Sequence, residues 1–271
     1  MPAGRGVRIV AGSARSMPWH LWVDDIPRPG FLNMAIDETL LRLAETDGAG
    51  VLRLYRWAPA CLSFGRHEPA RRRYRRDRIA ERGLDVVRRP TGGRAVWHDA
   101  ELTYAVAAPA ATFGPLTESY LEIHRTLACA LGALGLSPTL AAPPARAAAP
   151  DAGACFAAPA GGEVLVDGRK VIGSAQLRTR TAFLQHGSVL LEGDQRLVAE
   201  VSMRAGAEGG EGSLAALLGR RVGFEELAEE IASAARRWSA DWRIVHRGEF
   251  ILERAAAAAD GYRSDAWTWE R

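Results

Sequence analysis

The sequence predicts an α+β fold, a mixed β-sheet flanked by helices. Two observations carry that reading. Segments of period-two alternation and segments of helical period follow one another without the regular strand–helix–strand repeat of a βαβ array. One pair of strand segments is joined by Asp167-Gly168, whose composition suits a type I′ hairpin turn.

In chain order, FLNMAIDETLLRLAE reads as a helix, because Ile36, Leu40, Leu43 and Ala44 share one face. Asn33 is its expected N-cap, with Asp37 and Glu38 in the first turn. VLRLYRW and CLSFG read as strands separated by Ala58-Pro59. ARRRYRRDRIAERG reads as a polar helix ended by Gly83. VVRRPTGGRAVWHD is expected to form two short strands around a Pro-Thr-Gly-Gly turn. ELTYAVAAP places Leu102, Tyr104 and Val106 on one strand face. SYLEIHRTLACALGALG is an amphipathic helix with Leu127, Leu131 and Leu134 in a stripe. Residues 137–162 are rich in Ala, Pro and Gly and read as a long loop, a length that points to function or disorder. EVLVDGRKVIGSAQ is the hairpin and AFLQHGSVLLEG a further strand. The remainder reads as helical. GFEELAEEIASAARRW sets Phe224, Leu227, Ile231 and Trp238 on one stripe, with acids first and arginines last. Residues 1–18 are expected to be a flexible Gly/Ala/Arg arm, and 19–271 a single domain with a helical C-terminal tail.

Composition narrows the function classes. A net charge of +3 on 271 residues is too small to argue for nucleic acid. The three cysteines, Cys61, Cys129 and Cys155, are widely spaced, which argues against a disulfide framework or a CxxC zinc site and fits a reducing cytosol. No apolar run approaches the ~18 residues of a membrane helix, and the N-terminus lacks the apolar core of a signal peptide. A cytoplasmic location is expected. No His/Asp/Glu spacing suggests a metal, and neither a P-loop nor a dinucleotide fingerprint is present.

Lysine is nearly absent. Of 35 Lys and Arg residues only Lys170 is lysine. A sequence that uses arginine elsewhere and lysine here suggests a position needing a compact ammonium. A strand lysine is ordinarily a solvated edge charge. A cysteine fifteen residues earlier changes that weighting. Cys155 lies in the Ala/Gly/Pro loop, whereas Cys129 and Cys61 lie in apolar elements and read as small buried hydrophobes. An ammonium beside a thiol favours the nucleophilic thiolate and stabilises a developing oxyanion. Cys155 with Lys170 can therefore carry acyl transfer through a thioester.

Other candidates are weaker in isolation. Gly92 and Gly93 after Pro90-Thr91 let backbone approach a ligand closely, or form a plain tight turn. His98 and His186 are candidate site residues, though such histidines are commonly satisfied structural groups. The arginines of 71–78 read as a solvated helix face or as a dock for an acidic protein.

Taken together, NMAIDE, LSFGRHE, VVRRPTGGRAVWHDAELTYAV, ACFAAP, VDGRKVIGSAQ, LQHGSVLL and YRSDAWTWER resemble, in this order, the lipoate–protein ligase A / biotin–lipoate ligase family. The resemblance runs from Asn33 to the C-terminus and is most specific in the RRPTGGRAV and DGRK blocks. It is nearest to the cysteine-dependent octanoyltransferases (LipM type), which carry a cysteine before the DGRK hairpin. It implies a class II biotin/lipoyl ligase-like catalytic domain. It also implies octanoyl transfer in lipoate biosynthesis. The donor would be octanoyl-acyl carrier protein, the intermediate a Cys155 thioester, and the acceptor a lipoyl-carrier lysine, usually of the glycine cleavage H protein. Lys170 would activate the cysteine. Arg89, Thr91, Gly92, Gly93, Arg94, His98, Gly173, Ser174 and His186 would bind substrate. No cofactor is implied, since a thioester is already activated. The stretch AAPAGGE after ACF departs from the aromatic that relatives carry there.

Two other activities use related motifs, and a third reading is of another class. An octanoyl amidotransferase would move the group from H protein to other lipoyl domains. An ATP-dependent lipoate–protein ligase would adenylate free acid. A silent carrier-binding protein would need neither Cys155 nor Lys170.

Overall fold

The computed structural model describes residues 17–142, 161–204 and 211–270; Cys155 and most of the expected arm lie outside them. β1 (Trp19–Arg28), α1 (Gly30–Asp47) and β2 (Gly50–Trp57) form a parallel pair with a helical crossover. β3 (Cys61–Phe64), the short helices α2 (Ala70–Arg73) and α3 (Arg76–Glu81), β4 (Asp85–Arg88) and β5 (Val96–His98) follow. β6 (Glu101–Pro109) leads to α4 (Leu116–Ala133) and β7 (Pro138–Leu140). Next come β8 (Val164–Val166), β9 (Arg169–Lys170), β10 (Ile172–Arg178) and β11 (Ala182–Leu190). The C-terminal third holds α5 (Arg196–Glu200), α6 (Leu214–Leu218), α7 (Phe224–Ala235), β12 (Trp242–Ile244), α8 (Glu249–Arg263) and α9 (Asp265–Trp269).

Six strands make the main sheet in the order β10-β11-β6-β2-β1-β12, and it is mixed, as expected. Two small sheets, β4-β3-β5 and β7-β8-β9, flank it. The main sheet is covered on both faces. On one face Leu102, Tyr104 and Val106 of β6 meet Ile123 and Leu127 of α4 and Leu227 and Ile231 of α7. On the other, Ala105 and Ala107 share a cluster with Ile36 and Leu40 of α1 and Ala255 and Ala259 of α8. The small alanines leave room for helices on that face. Each large side chain so buried contributes about 2 kcal/mol.

Several local expectations change. Pro29, not Asn33, caps α1; Asn33 is one turn inside and its amide donates to the carbonyls of Arg28 and Arg56. Asp37 therefore lies beyond the first turn, buried. The polar helix of 70–83 is two short helices, broken where Tyr74 turns inward to donate to Glu68. β4 and β5 do not pair with each other, because β3 lies between them. The C-terminal tail is not wholly helical: β12 adds to the main sheet beside β1. The Asp167-Gly168 turn is as read, with φ of 50° and 75° at its two residues. Among the described residues no helix is long and apolar enough to cross a membrane.

Candidate active site

At one edge of the main sheet Gly173, Ser174 and Ala175 of β10 pair with Ser188, Gly187 and His186 of β11. With Met34, Tyr55, Trp57, Arg89 and His98 they line a cavity. Position 187 has no room for a side chain: a Cβ there would stand 2.5 Å from the Gly173 carbonyl oxygen. Ser174 and Ala175 are partly exposed, whereas Met34, Tyr55 and Trp57 are buried. The cavity thus opens toward the edge strand and closes toward α1 and β2.

Three buried histidines stand in or beside this cavity, each bonded through both ring nitrogens. His98 Nδ1 lies 2.7 Å from Glu101 Oε1, and its Nε2 2.6 Å from Ser63 Oγ. Arg89 Nη1 donates to the same Ser63 oxygen at 2.6 Å. The Trp57 indole stacks on the His98 ring with centroids 3.9 Å apart. Burial lowers the His98 pKa against the opposing pull of Glu101. His186 Nδ1 lies 2.8 Å from Asp37 Oδ2, and its Nε2 2.6 Å from Thr91 Oγ1. Asp37 also accepts from Tyr55 and from the fully buried Arg53, whose other arm meets Asp24 at 2.7 Å. One buried charged network thereby ties β1, α1 and β2 to the cavity wall.

The third histidine is His124, on α4. Its Nδ1 lies 2.7 Å from the Gly162 carbonyl and so carries the proton; its Nε2 accepts from Ser174 Oγ at 2.8 Å. Burial is the main reason its pKa falls to about 4, and the positive charge of Lys170 adds to the fall.

Lys170 sits on β9 and is 2% exposed. Its Nζ is 2.6 Å from Glu163 Oε1, a carboxylate that is itself buried. Two residues separate it from Gly173 in the cavity wall. A strand lysine at this position is therefore not a solvated edge charge.

Of the residues expected to contact substrate, Arg89, His98, Gly173, Ser174 and His186 line the cavity. Thr91 reaches it through His186. The described lining does not include Gly92, Gly93 or Arg94. Arg89 Nη2 holds the carbonyls of Gly92 and Arg94 at 3.2 and 2.8 Å, which stiffens the turn. Gly93 has φ of 90° and presses its carbonyl onto Gly65. Cys155 lies outside the described residues. The arginines of 71–78 are partly engaged by the chain's own C-terminal segment: Arg71 pairs with Glu270 and Arg76 with Asp265.

Sequence reasoning missed Asp37, His124 and Glu163. Two of them carried a signal. Asp37 follows Ile36 on a buried helix face, and His124 lies on the stripe of Leu127 and Leu131. A polar residue on an apolar stripe needs a partner.

Residues 29–236 match the family model described as the lipoyl protein ligase A/B catalytic domain. Octanoyltransferase LipM of Kyrpidia tusciae is 36% identical, over 88% of this chain and 94% of that one. Octanoyltransferase LipM of Staphylococcus epidermidis is 31% identical, over 89% and 95%. Among solved structures, a lipoate protein ligase of Thermoplasma acidophilum with bound lipoic acid aligns with a TM-score of 0.78 at 20% identity, over 93% of this chain and all of that one. A lipoate-protein ligase A bound with ATP aligns at 0.70 and 19%, over 93% and 98%. At these identities the structures establish the fold. The sequence matches establish more: this chain belongs to the lipoyl protein ligase A/B catalytic domain family.

Proposed function

We propose that the chain is an octanoyltransferase, an acyltransferase that modifies a lysine of a lipoyl-domain protein. The relatives named octanoyltransferase, matched over nearly their whole length, support the activity. The observation that carries the chemistry is the burial of the only lysine against Glu163, three positions before Gly173 of the cavity wall. An ammonium kept out of water acts on nearby charge far more strongly than a solvated one.

In this reading octanoyl-acyl carrier protein is the donor. The Cys155 thiolate attacks the thioester carbonyl carbon. A new C–S bond forms, the bond to the carrier sulfur breaks, and the carrier thiol leaves with a proton. The amine of the acceptor lysine, on glycine cleavage H protein or another lipoyl domain, then attacks the Cys155 thioester. An amide forms, the amine gives up a proton, and the cysteine thiolate is released. Lys170 favours the thiolate and the oxyanion of both steps. The cavity takes the eight-carbon tail. Its closed end at Met34, Tyr55 and Trp57 supplies apolar surface, and the ring nitrogens of His98 and His186 are already bonded within the protein.

The deciding experiment is intact mass after mixing the protein with octanoyl-acyl carrier protein without ATP, beside Cys155→Ala. An octanoyl adduct labile to thiols, on the unsubstituted protein only, is expected. Transfer only when ATP and free octanoate are supplied would favour a ligase instead. An adduct formed from octanoylated H protein but not from the carrier protein would favour an amidotransferase.

A further inference from the structure

Ser174 in the cavity wall and Gly162 at the foot of the β8–β9 hairpin belong to different elements, yet one side chain bonds both. His124 Nε2 accepts from Ser174 Oγ at 2.8 Å, and its Nδ1–H donates to the Gly162 carbonyl at 2.7 Å. The direction of the whole chain of bonds is fixed. Gln185 Nε2 donates to Tyr104 Oη at 3.0 Å. Tyr104 lies 2.7 Å from Ser174 Oγ, and since the serine proton goes to His124, the phenol donates. The chain then ends on the Gly162 carbonyl.

Both ends matter to the site. Gly162 immediately precedes Glu163, the partner of Lys170. Its φ is 84°, and a Cβ there would meet Leu121 Cδ2 of α4 at 2.6 Å. The hairpin foot is therefore pressed onto α4 and pinned to it by His124. At the other end, His124 takes the Ser174 proton, so the serine cannot turn that proton toward a substrate in the cavity. The ring is fully buried and packs on Tyr120 with centroids 4.1 Å apart. Its charged neighbours are Lys170 and, across Tyr104, Glu163.

We propose that His124 is a positioning residue of the transfer reaction, which locks the foot of the Glu163–Lys170 hairpin and the hydroxyl of the cavity wall into one frame. The proposal rests on the reading of Lys170 and the cavity given above. It makes separate demands on the two ring nitrogens. Asn at 124 keeps a donor near the Nδ1 position and loses the acceptor for Ser174. Gln keeps an acceptor near Nε2 and loses the bond to Gly162.

The test is steady-state octanoyl transfer by the full chain and its His124→Asn, His124→Gln and His124→Ala variants, with melting temperature recorded for each. Loss of the hairpin pin in His124→Gln should lower kcat about tenfold or more with KM for the acyl donor little changed, since small misplacements of catalytic groups cost this much. Release of the serine proton in His124→Asn should raise KM about fivefold or more and spare kcat, the cost of one hydrogen bond misdirected into an apolar site. His124→Ala should show both changes. Variants that melt lower but keep kcat and KM within about twofold would overturn the proposal and leave the reading of the site intact. An unsubstituted protein that forms no octanoyl adduct and transfers nothing would overturn both.

Discussion

Lys170 Nζ and Glu163 Oε1 lie 2.6 Å apart across the β8–β9 hairpin, with both side chains buried. Removing one member of such a pair costs about 3–5 kcal/mol, because the remaining charge has lost its compensation. Glu163→Ala should therefore lower stability by about 3 kcal/mol and abolish transfer. Glu163→Gln keeps an acceptor oxygen and should lie between. Lys170→Arg should not restore activity, since a planar guanidinium does not fit where a point charge is buried. Urea unfolding and the acylation assay read both effects.

Stability should fall in mild acid more than surface carboxylates explain. His124 has a pKa of about 4 in the folded chain against 6.5 ordinarily. The unfolded chain therefore binds a proton that the folded chain refuses between those values. The stabilising effect of neutral His124 is complete above pH 6.5, and roughly 3 kcal/mol is lost as pH falls through 4. His98, shifted in the same direction by burial, adds to the loss. Urea midpoints at pH 7 and pH 4.5 should differ less in His124→Gln than in the unsubstituted chain.

Gly65 faces the glycine turn so closely that an added Cβ would stand 1.8 Å from the Gly93 carbonyl oxygen. Gly65→Ala must push that turn away from Arg89 and His186. A cost of at least about 2 kcal/mol is expected, together with a raised KM for the acyl donor. The same change at Gly92, where nothing stands within 4 Å, should be tolerated.

Arg88 is fully buried and donates to five backbone carbonyls: Gly65, Arg66, Glu68, Trp267 and Thr268. It joins the loop beneath the glycine turn to α9. Arg88→Met should lose about 3 kcal/mol or more, because buried carbonyls are left without donors. A chain ending at Tyr262 should lose comparable stability by removing Trp269 from its packing on Phe64. Melting temperature checks both.

What could be read from the sequence was local. Asp167 and Gly168 dictate their turn by their own backbone preferences, and Leu102, Tyr104 and Val106 fix their face by alternation. Lys170 stood out because arginine served elsewhere. The unread parts depend on partners far along the chain. Asp37 looks like a dipole complement until Arg53 on β2 is seen beside it. β4 and β5 look like a hairpin because their sequences cannot reveal that β3 inserts between them. β1 contains Asp24-Asp25 and Pro27, poor strand formers; β2 pairs with it continuously from Trp19 to Asp24, and the register shifts before Arg28.

β1 lies between a strand that follows it directly and one far later in the chain: Trp19 pairs with Gly50 on one side and Trp242 on the other. α8, which covers the alanine face of β6, follows β12. A nascent chain still lacking these elements presents β1 with one unpaired edge and an open apolar face, the features that recruit other chains. Completion of the sheet therefore waits until the chain through α8 has been made, and partly made chains should depend on chaperone protection during translation.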